Sequence, residues 1–450
     1  MGWLPEFLRA RLRGREGVHK TIHNGSWLIL DKVVRILTGI IVSASVARYL
    51  GPGQFGELAY VIACLTFFYA IATLGVENIV VRDLAQDPDK APAVLGTTML
   101  MRFVVGIVCA IAAIGLLVWS DGLHSEPVIL ALLACGFLIF QAADVVDLWF
   151  QSQIQSGYSV KIRLINYLFF SALKVALILT QSPLVAFASI YSIEAVATGL
   201  SLVGTYYWAS VKQVFGSFDQ RKLLLVKMAL AIDILKESWP FILSALTVAI
   251  STRIDIVLIK YFLGGESVGI YTTAQTLVTI GTILPGILFS SVLPTLSRFK
   301  VDDHPRFIQS LQKLYQVAVL WGIGSSIALI LFANWIVVLI YGQAYESAGE
   351  VLKVLSIANV FTSLGIVQAQ WLFSEKGNRI LFIQTLIAGV SAFILNLVFI
   401  PLWGLLGAAI AYVFVQMIAV FLINAVLQKE IFKMQVRAFY LWRTLRYFHQ

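Results

Sequence analysis

Charge is scarce in this chain, and so are cysteine and histidine. Asp, Glu, Lys and Arg together make up 13% of 450 residues, while 59% are hydrophobic and the mean hydropathy is +0.86. Soluble domains carry roughly 25% charged residues, so a water-exposed globular class is excluded. The three cysteines, Cys64, Cys109 and Cys135, all lie in apolar runs, which excludes a disulfide scaffold and a zinc motif. The five histidines are scattered with no pair at ligand spacing, so no metal site is expected. No G-x-x-x-x-G-K-[ST] loop is present, and no cofactor is expected. Short alternating segments are missing too, which excludes a β-barrel. The basic stretch Arg9 to Lys20 precedes an apolar segment too long for a signal-peptide core, and no small-residue cleavage site follows it.

What fills the chain is long apolar runs. A bilayer core of ~30 Å takes about 20 helical residues. Twelve runs of that order can be drawn: 27–50, 58–80, 95–119, 127–150, 162–180, 184–208, 239–262, 270–293, 314–340, 350–373, 380–400 and 404–427. The expected fold is therefore an all-α polytopic membrane protein with about 12 transmembrane helices. The connections alternate in charge: 25 lysines and arginines fall on one side and only Lys260 on the other. By the positive-inside rule both termini are cytoplasmic. The formal net charge of +9 is then mostly a property of the cytoplasmic surface, facing anionic lipid rather than nucleic acid.

This reading divides the chain into five parts. Residues 1–26 form a basic amphipathic segment, with Trp3, Leu4, Phe7 and Leu8 against lipid; 27–208 form a first lobe of six spans. Residues 209–238 form a cytoplasmic linker, 239–428 a second lobe of six spans, and 429–450 a basic cytoplasmic tail. The two lobes echo one another. Arg48-Tyr49-Leu50-Gly51 after span one resembles Lys260-Tyr261-Phe262 with Gly264 after span seven. Trp149 and Gly157 correspond to Trp371 and Gly377, and Pro183 to Pro401. Six spans return the chain to its starting side, so the repeats are parallel, and substrate sites are expected between them near the midplane.

Charges buried in the apolar runs mark the candidate site. Each costs roughly 2.5–3.5 kcal/mol at the bilayer centre, so such residues usually face a protein interior or a water-filled cavity. Span one holds Asp31, Lys32 and Arg35, with Asp31 and Arg35 in one helical sector. Lys174 in span five and Glu194 in span six are both deep, and either pair with each other or bind cargo and a coupling ion separately. Asp144 and Asp147, at i and i+3 of span four, can bind a cation, share a proton or accept from sugar hydroxyls. Arg253 and Asp255 in span seven point to nearly opposite faces of a regular helix, and the spacing does not say which one faces a cavity. Arg48, Glu77, Arg102 and Lys353 lie near span ends and are expected to snorkel.

Several motifs then carry a family resemblance. These are Ala47-Arg48-Tyr49-Leu50-Gly51-Pro52-Gly53-Gln54-Phe55-Gly56, Val81-Arg82-Asp83-Leu84 and Arg253-Ile254-Asp255 with Gly269-Ile270-Tyr271. Leu293-Pro294-Thr295-Leu296-Ser297 and Pro401-Leu402-Trp403-Gly404-Leu405-Leu406-Gly407-Ala408-Ala409 complete the set, from about Ser26 to Gln428. In this order they resemble the polysaccharide transporter family, the O-antigen and exopolysaccharide flippases of the superfamily that also holds multidrug extruders and the lipid II flippase. The resemblance implies a V-shaped pair of six-helix lobes in the inner membrane. It implies a cargo of undecaprenyl-pyrophosphate-linked oligosaccharide, moved from the cytoplasmic to the periplasmic leaflet by alternating access. Arg35, Lys32, Lys174 and Arg253 are then candidate phosphate-binding cations. Asp31, Asp144, Asp147, Glu194 and Asp255 are candidates for sugar hydroxyls or for H+ or Na+ as coupling ion. Glycosyltransferases and a polysaccharide polymerase are implied as partners. A multidrug or cation antiporter of the same architecture, and a lipid II flippase, are the alternatives. A membrane-embedded glycosyltransferase needs a sizeable loop carrying catalytic charge, and every loop here is short, so an enzyme is not expected.

Overall fold

A computed structural model describes residues 16–211, 225–374 and 378–440. The expected surface contacts of Trp3 to Leu8, the linker residues 212–224 and the tail beyond Tyr440 lie outside these. Among the described residues every regular element is helical and there is no strand. The helices are α1 (Glu16–Ala72), α2 (Glu77–Gln86), α3 (Ala91–Asp121), α4 (Glu126–Ala134), α5 (Gly136–Phe140), α6 (Val145–Ser152), α7 (Gly157–Leu179) and α8 (Leu184–Val211). They continue with α9 (Met228–Leu263), α10 (Gly265–Asp302), α11 (His304–Tyr341), α12 (Ala348–Ser356) and α13 (Ala358–Ser374). Last come α14 (Asn378–Gln416), a π-helical turn at Met417–Leu422, α15 (Asn424–Leu427) and α16 (Lys429–Phe439).

Eight described helical stretches are long and apolar enough to cross a membrane, or nine with the pair α12–α13, bent by 44°, taken as one span. Two of the eight, Asp31–Gln86 and Ile380–Leu427, run to 56 and 48 residues. At 1.5 Å per residue they measure ~84 and ~72 Å, more than twice a bilayer core. Each is broken at a glycine: Gly51 (φ 73°), just before Pro52, and Gly404 (φ 60°), just after Pro401. Positive φ is cheap only for glycine, and proline removes a helix hydrogen bond, so both breaks are written into the sequence. Eight or nine is therefore a number of helices, not of crossings. Large apolar side chains stand exposed along them, such as Ile41, Ile111, Leu179 and Leu331, each at least 66% accessible. A water-soluble surface does not sustain such patches, whereas lipid does. The chain is a multi-pass membrane protein.

The helices group into two compact units. One takes the chain up to Ser43 together with Phe68–Leu243, and the other takes Ala44–Phe67 together with the chain from Ser244 onward. In the first, Val80, Leu84 and Leu95 pack with Trp149, Phe150 and Tyr206. In the second, Phe307, Leu311 and Tyr315 of α11 pack with Leu364 and Val367 of α13 and Ile431 and Met434 of α16. The register of α11 is set at its start, where Asp303 caps the helix by accepting from the Arg306 N–H at 3.0 Å and Pro305 occupies the first turn.

Arg102 does not snorkel. Its side chain is 2% accessible, with Nη2 2.5 Å from the Glu77 carboxylate and Nε donating to the Thr73 carbonyl at 2.9 Å. Thr73 lies in the break between α1 and α2, so the guanidinium satisfies a carbonyl that no helix bond takes. Arg48 is exposed yet also bound: its Nη2 donates to the carbonyls of Val338 and Leu339 in the last turn of α11, where a cation suits the helix dipole.

Candidate functional site

The stretch expected as one span over 127–150 is in fact broken twice. A turn at Cys135 separates α4 from α5, and a 3-10 turn at Gln141–Asp144 separates α5 from α6. Breaks in a membrane helix free backbone groups that need partners. At the first break Ser192 of α8 supplies both: its hydroxyl donates to the Leu133 carbonyl (2.5 Å) and accepts from the Gly136 N–H (2.9 Å). Gly106 of α3 lets the two helices touch here, because a Cβ on it would overlap the Leu138 carbonyl. The second break turns Gln141 and Asp144 toward a cavity of about 350 Å³ inside the first unit.

Three ion pairs stand around that cavity. On α1, Arg35 Nε contacts Asp31 at 2.7 Å, and the guanidinium lies 4.8 Å from the centre of the Tyr167 ring. Tyr167 in turn donates its hydroxyl to the Arg35 carbonyl at 3.0 Å, tying α7 to α1. On α7, Arg163 reaches Asp144 at 2.7 Å and Asp147 at 3.5 Å. Deeper on α7, Lys174 meets Glu194 of α8 at 3.3 Å, with the Tyr191 ring centre 5.2 Å away. Four carboxylates thus accompany three cations. Tyr69, Phe137 and Phe140 complete an aromatic lining.

The pairing leaves specific atoms over. Arg35 Nη2, Arg163 Nε and both ends of the Gln141 amide are buried without a hydrogen-bond partner. Buried polar groups are usually satisfied, and each exception calls for a reason. Three of these four atoms are N–H donors. A wall with cations, carboxylate acceptors and aromatic faces, backed by unspent donors, suits an oxygen-rich ligand.

The other candidate residues are placed elsewhere. Lys32 is exposed and outside the cavity wall, and Asp31 and Asp147 stand behind it as partners of Arg35 and Arg163. In the second unit Asp255 is 5% accessible and accepts three hydrogen bonds: from Tyr271 Oη (2.9 Å), Gln275 Nε2 (3.0 Å) and its neighbour's backbone N–H at Ile256 (2.8 Å). Arg253 is half-buried. Lys260 pairs with Glu57 and lies 5.6 Å from the Tyr60 ring centre.

Arg163 and Gln141 are the residues that reasoning from sequence missed. Arg163 counts among the basic connections because it is only six residues past the start of α7, ~9 Å along its axis. A signal was available: Arg163, Tyr167, Ser171 and Lys174 recur at i, i+4, i+8 and i+11, one polar stripe along an apolar helix.

Comparison with known proteins gives a consistent picture. The family model described as "Polysaccharide biosynthesis protein" matches residues 21–300, and the model "Lipid II flippase MurJ" matches residues 217–448. A putative O-antigen transporter of Shigella dysenteriae is 24% identical over 43% of this chain and 48% of its own length. The chain thus spans about half of that relative. A probable flippase, AglR, of Haloferax volcanii is 25% identical over 84% of this chain and 77% of its own length. Among solved structures, an inward-facing multidrug resistance MATE family transporter of the MOP superfamily superposes with a TM-score of 0.73. That match is 18% identical and covers 91% of this chain and 96% of the other. The lipid II flippase MurJ in an inward closed conformation gives 0.71 at 16% identity, covering 93% and 91%. At such identities the likeness speaks for the fold alone.

Proposed function

Because the chain belongs to the polysaccharide biosynthesis protein family, we propose that it is a flippase for lipid-linked oligosaccharides, a transporter and not an enzyme. Its cargo is an undecaprenyl-pyrophosphate-linked repeat unit, moved from the cytoplasmic to the periplasmic leaflet of the inner membrane by alternating access. The flippase and O-antigen transporter names of its relatives support this class. The physical requirement is plain: a pyrophosphate with sugars cannot cross hydrocarbon unaided and needs a polar route.

The observation that carries the reading is the set of cationic and amide side chains, Arg35, Arg163, Lys174 and Gln141, that line the first unit's cavity. Arg35 Nη2, Arg163 Nε and Gln141 Nε2 are buried donors that no protein acceptor takes, so a shift of the wall that uncovers them gives phosphate or sugar oxygens three N–H groups. Lys174 is the further cation of that wall, and Arg253 of the second unit is the candidate there. Tyr167, Tyr191 and Phe137 offer faces for sugar rings. A volume of about 350 Å³ suits part of a headgroup, at the lower end of ligand sites generally. We assign the coupling ion, H+ or Na+, to Asp144, Asp147 or Glu194. Both termini face the cytoplasm on the charge asymmetry of the loops, where glycosyltransferases would deliver the cargo, and a polysaccharide polymerase would receive it on the opposite side.

The excess of four carboxylates over three cations favours a second reading, a cation extruder. One measurement separates the two: the lipid extract of cells lacking the protein, analysed by mass spectrometry. Accumulated polyprenyl-pyrophosphate oligosaccharide with surface polymer missing is the expected result. A normal lipid profile with new sensitivity to cationic drugs overturns it in favour of the extruder.

A further inference from the structure

The second unit carries a larger cleft, about 770 Å³, where α16 lies against the first turns of α11. Its lining is graded. Lys313 of α11 and Lys433 and Arg437 of α16 stand at the polar part, all three exposed. Val317, Leu320 and Met434 form the apolar part, with Val317 and Leu320 43% and 48% accessible. The gradient follows the sequence of α11: polar residues dominate from His304 to Gln316, and an apolar run begins at Val317. This change marks the membrane–water boundary, with Lys313 one turn on the wet side and Leu320 ~10 Å further along the axis.

Lys313, Lys433 and Arg437 differ from the paired cations described above. Arg35, Arg163, Lys174 and Lys260 each contact a carboxylate. Among the described residues none of these three is in an ion pair, although Glu430 lines the same cleft. Lys433 and Arg437 lie at i and i+4 on α16, whose opposite face, Ile431, Met434, Gln435 and Ala438, is buried. Gln312 fixes the geometry by donating to the Met434 carbonyl at 3.1 Å. The cleft therefore offers three unpaired positive charges one helix turn above an accessible apolar floor.

We propose that this cleft binds one anionic phospholipid of the surrounding leaflet, its phosphate among Lys313, Lys433 and Arg437 and an acyl chain over Val317 and Leu320. Charge complementarity selects an anionic headgroup, and the apolar floor selects a lipid over a free phosphate. Basic residues at an anionic membrane surface each strengthen binding about fivefold, so removing all three weakens it roughly a hundredfold.

The test is native mass spectrometry of the full chain in mild detergent, titrated with phosphatidylglycerol or phosphatidylcholine. One tightly held phosphatidylglycerol per chain is expected, with phosphatidylcholine lost at the same collision energy. The Lys313→Gln/Lys433→Gln/Arg437→Gln variant should bind roughly a hundredfold more weakly. A control with as many exposed positive charges removed, Lys90→Gln/Lys227→Gln/Lys236→Gln, should bind as the parent does. All six positions are exposed, and thermal melting checks that both variants fold. Long-chain phosphatidylglycerol should also bind at least tenfold more tightly than its dibutyryl analogue. Equal retention in the parent and the first variant, equal retention of the two headgroups, or equal affinity for long and short chains each overturns the proposal.

Discussion

Replacing Arg163 tests the cargo cavity most directly. Its guanidinium is held by Asp144 and Asp147, and its Nε is buried without a partner. If that Nε and the positive charge bind a cargo oxygen, Arg163→Ala removes a charge-assisted hydrogen bond of roughly 1.5–3 kcal/mol, a loss of about ten- to a hundredfold in binding. Arg163→Lys keeps the charge but not the fork, and should lie between. A purely structural arginine gives a different pattern, because its removal strands two carboxylates 3 residues apart. Neutralising them then restores cargo binding, whatever becomes of ion coupling. Arg163→Ala, Arg163→Lys and Arg163→Ala/Asp144→Asn/Asp147→Asn are therefore compared for equilibrium binding of a fluorescent lipid-linked oligosaccharide to the full chain in mild detergent, at matched protein levels. A cargo ligand predicts that the triple variant binds as weakly as Arg163→Ala or more weakly. Recovered binding in the triple variant, or near-parental binding by Arg163→Ala alone, refutes the assignment.

Four further outcomes can be checked. Arg35→Ala should strongly reduce transport at normal membrane levels, and unchanged surface polymer in both Arg35→Ala and Arg253→Ala would remove the cationic-cavity reading. Arg102→Ala should lower stability by about 1–3 kcal/mol through the stranded Thr73 carbonyl and Glu77 carboxylate, seen as a lower melting temperature in detergent, whereas Arg102→Lys recovers part of it. Asp255→Asn turns an acceptor of three hydrogen bonds into a group whose NH2 faces either Tyr271 and Gln275 together or the Ile256 N–H, and should cost about 1–3 kcal/mol in the same melt, more than Tyr271→Phe. A cysteine at exposed Gly53 should react with a membrane-impermeant thiol reagent from outside and one at Asp219 should not, and reversed labelling would invert the topology.

The helical, membrane-spanning class was legible because composition and run length depend on no tertiary contact. So were the breaks at Gly51-Pro52 and near Pro401, since proline and glycine act through local backbone geometry. The pairing of charges was only half legible. Asp31 with Arg35 follows from i, i+4 spacing, and Lys174 with Glu194 from equal depth on consecutive helices. Arg102 was hidden because burial is set by neighbours: Glu77 and Thr73 reach it only once the chain turns at residues 73–76. The break of span four was hidden for a related reason. Nothing in CGFLIFQAAD announces either break; at the first, near Cys135, Ser192 of α8 takes up the freed backbone groups and Gly106 of α3 makes room for the Leu138 carbonyl.

That break is also what gives the cavity its chemistry. In a continuous helix Asp144 and Asp147 would simply share a face, as their spacing suggests. The turn at Gln141–Asp144 instead carries Gln141 to the wall beside Asp144 and draws Arg163 between the two carboxylates. The site is thus built from a local departure from helical geometry, in a segment whose sequence is nearly all apolar. A mid-helix 3-10 turn often marks a hinge, and here it joins the Gln141 amide to the carboxylates proposed for the coupling ion. Protonation or sodium binding at Asp144 or Asp147 would loosen their hold on Arg163 and free its donors. An ion arriving at the carboxylates and an oxygen-rich headgroup arriving at the arginine then help one another bind. With the proposed roles of Arg163 and the two carboxylates, linkage makes the effect reciprocal: cargo in the cavity would raise the affinity of Asp144 and Asp147 for that ion.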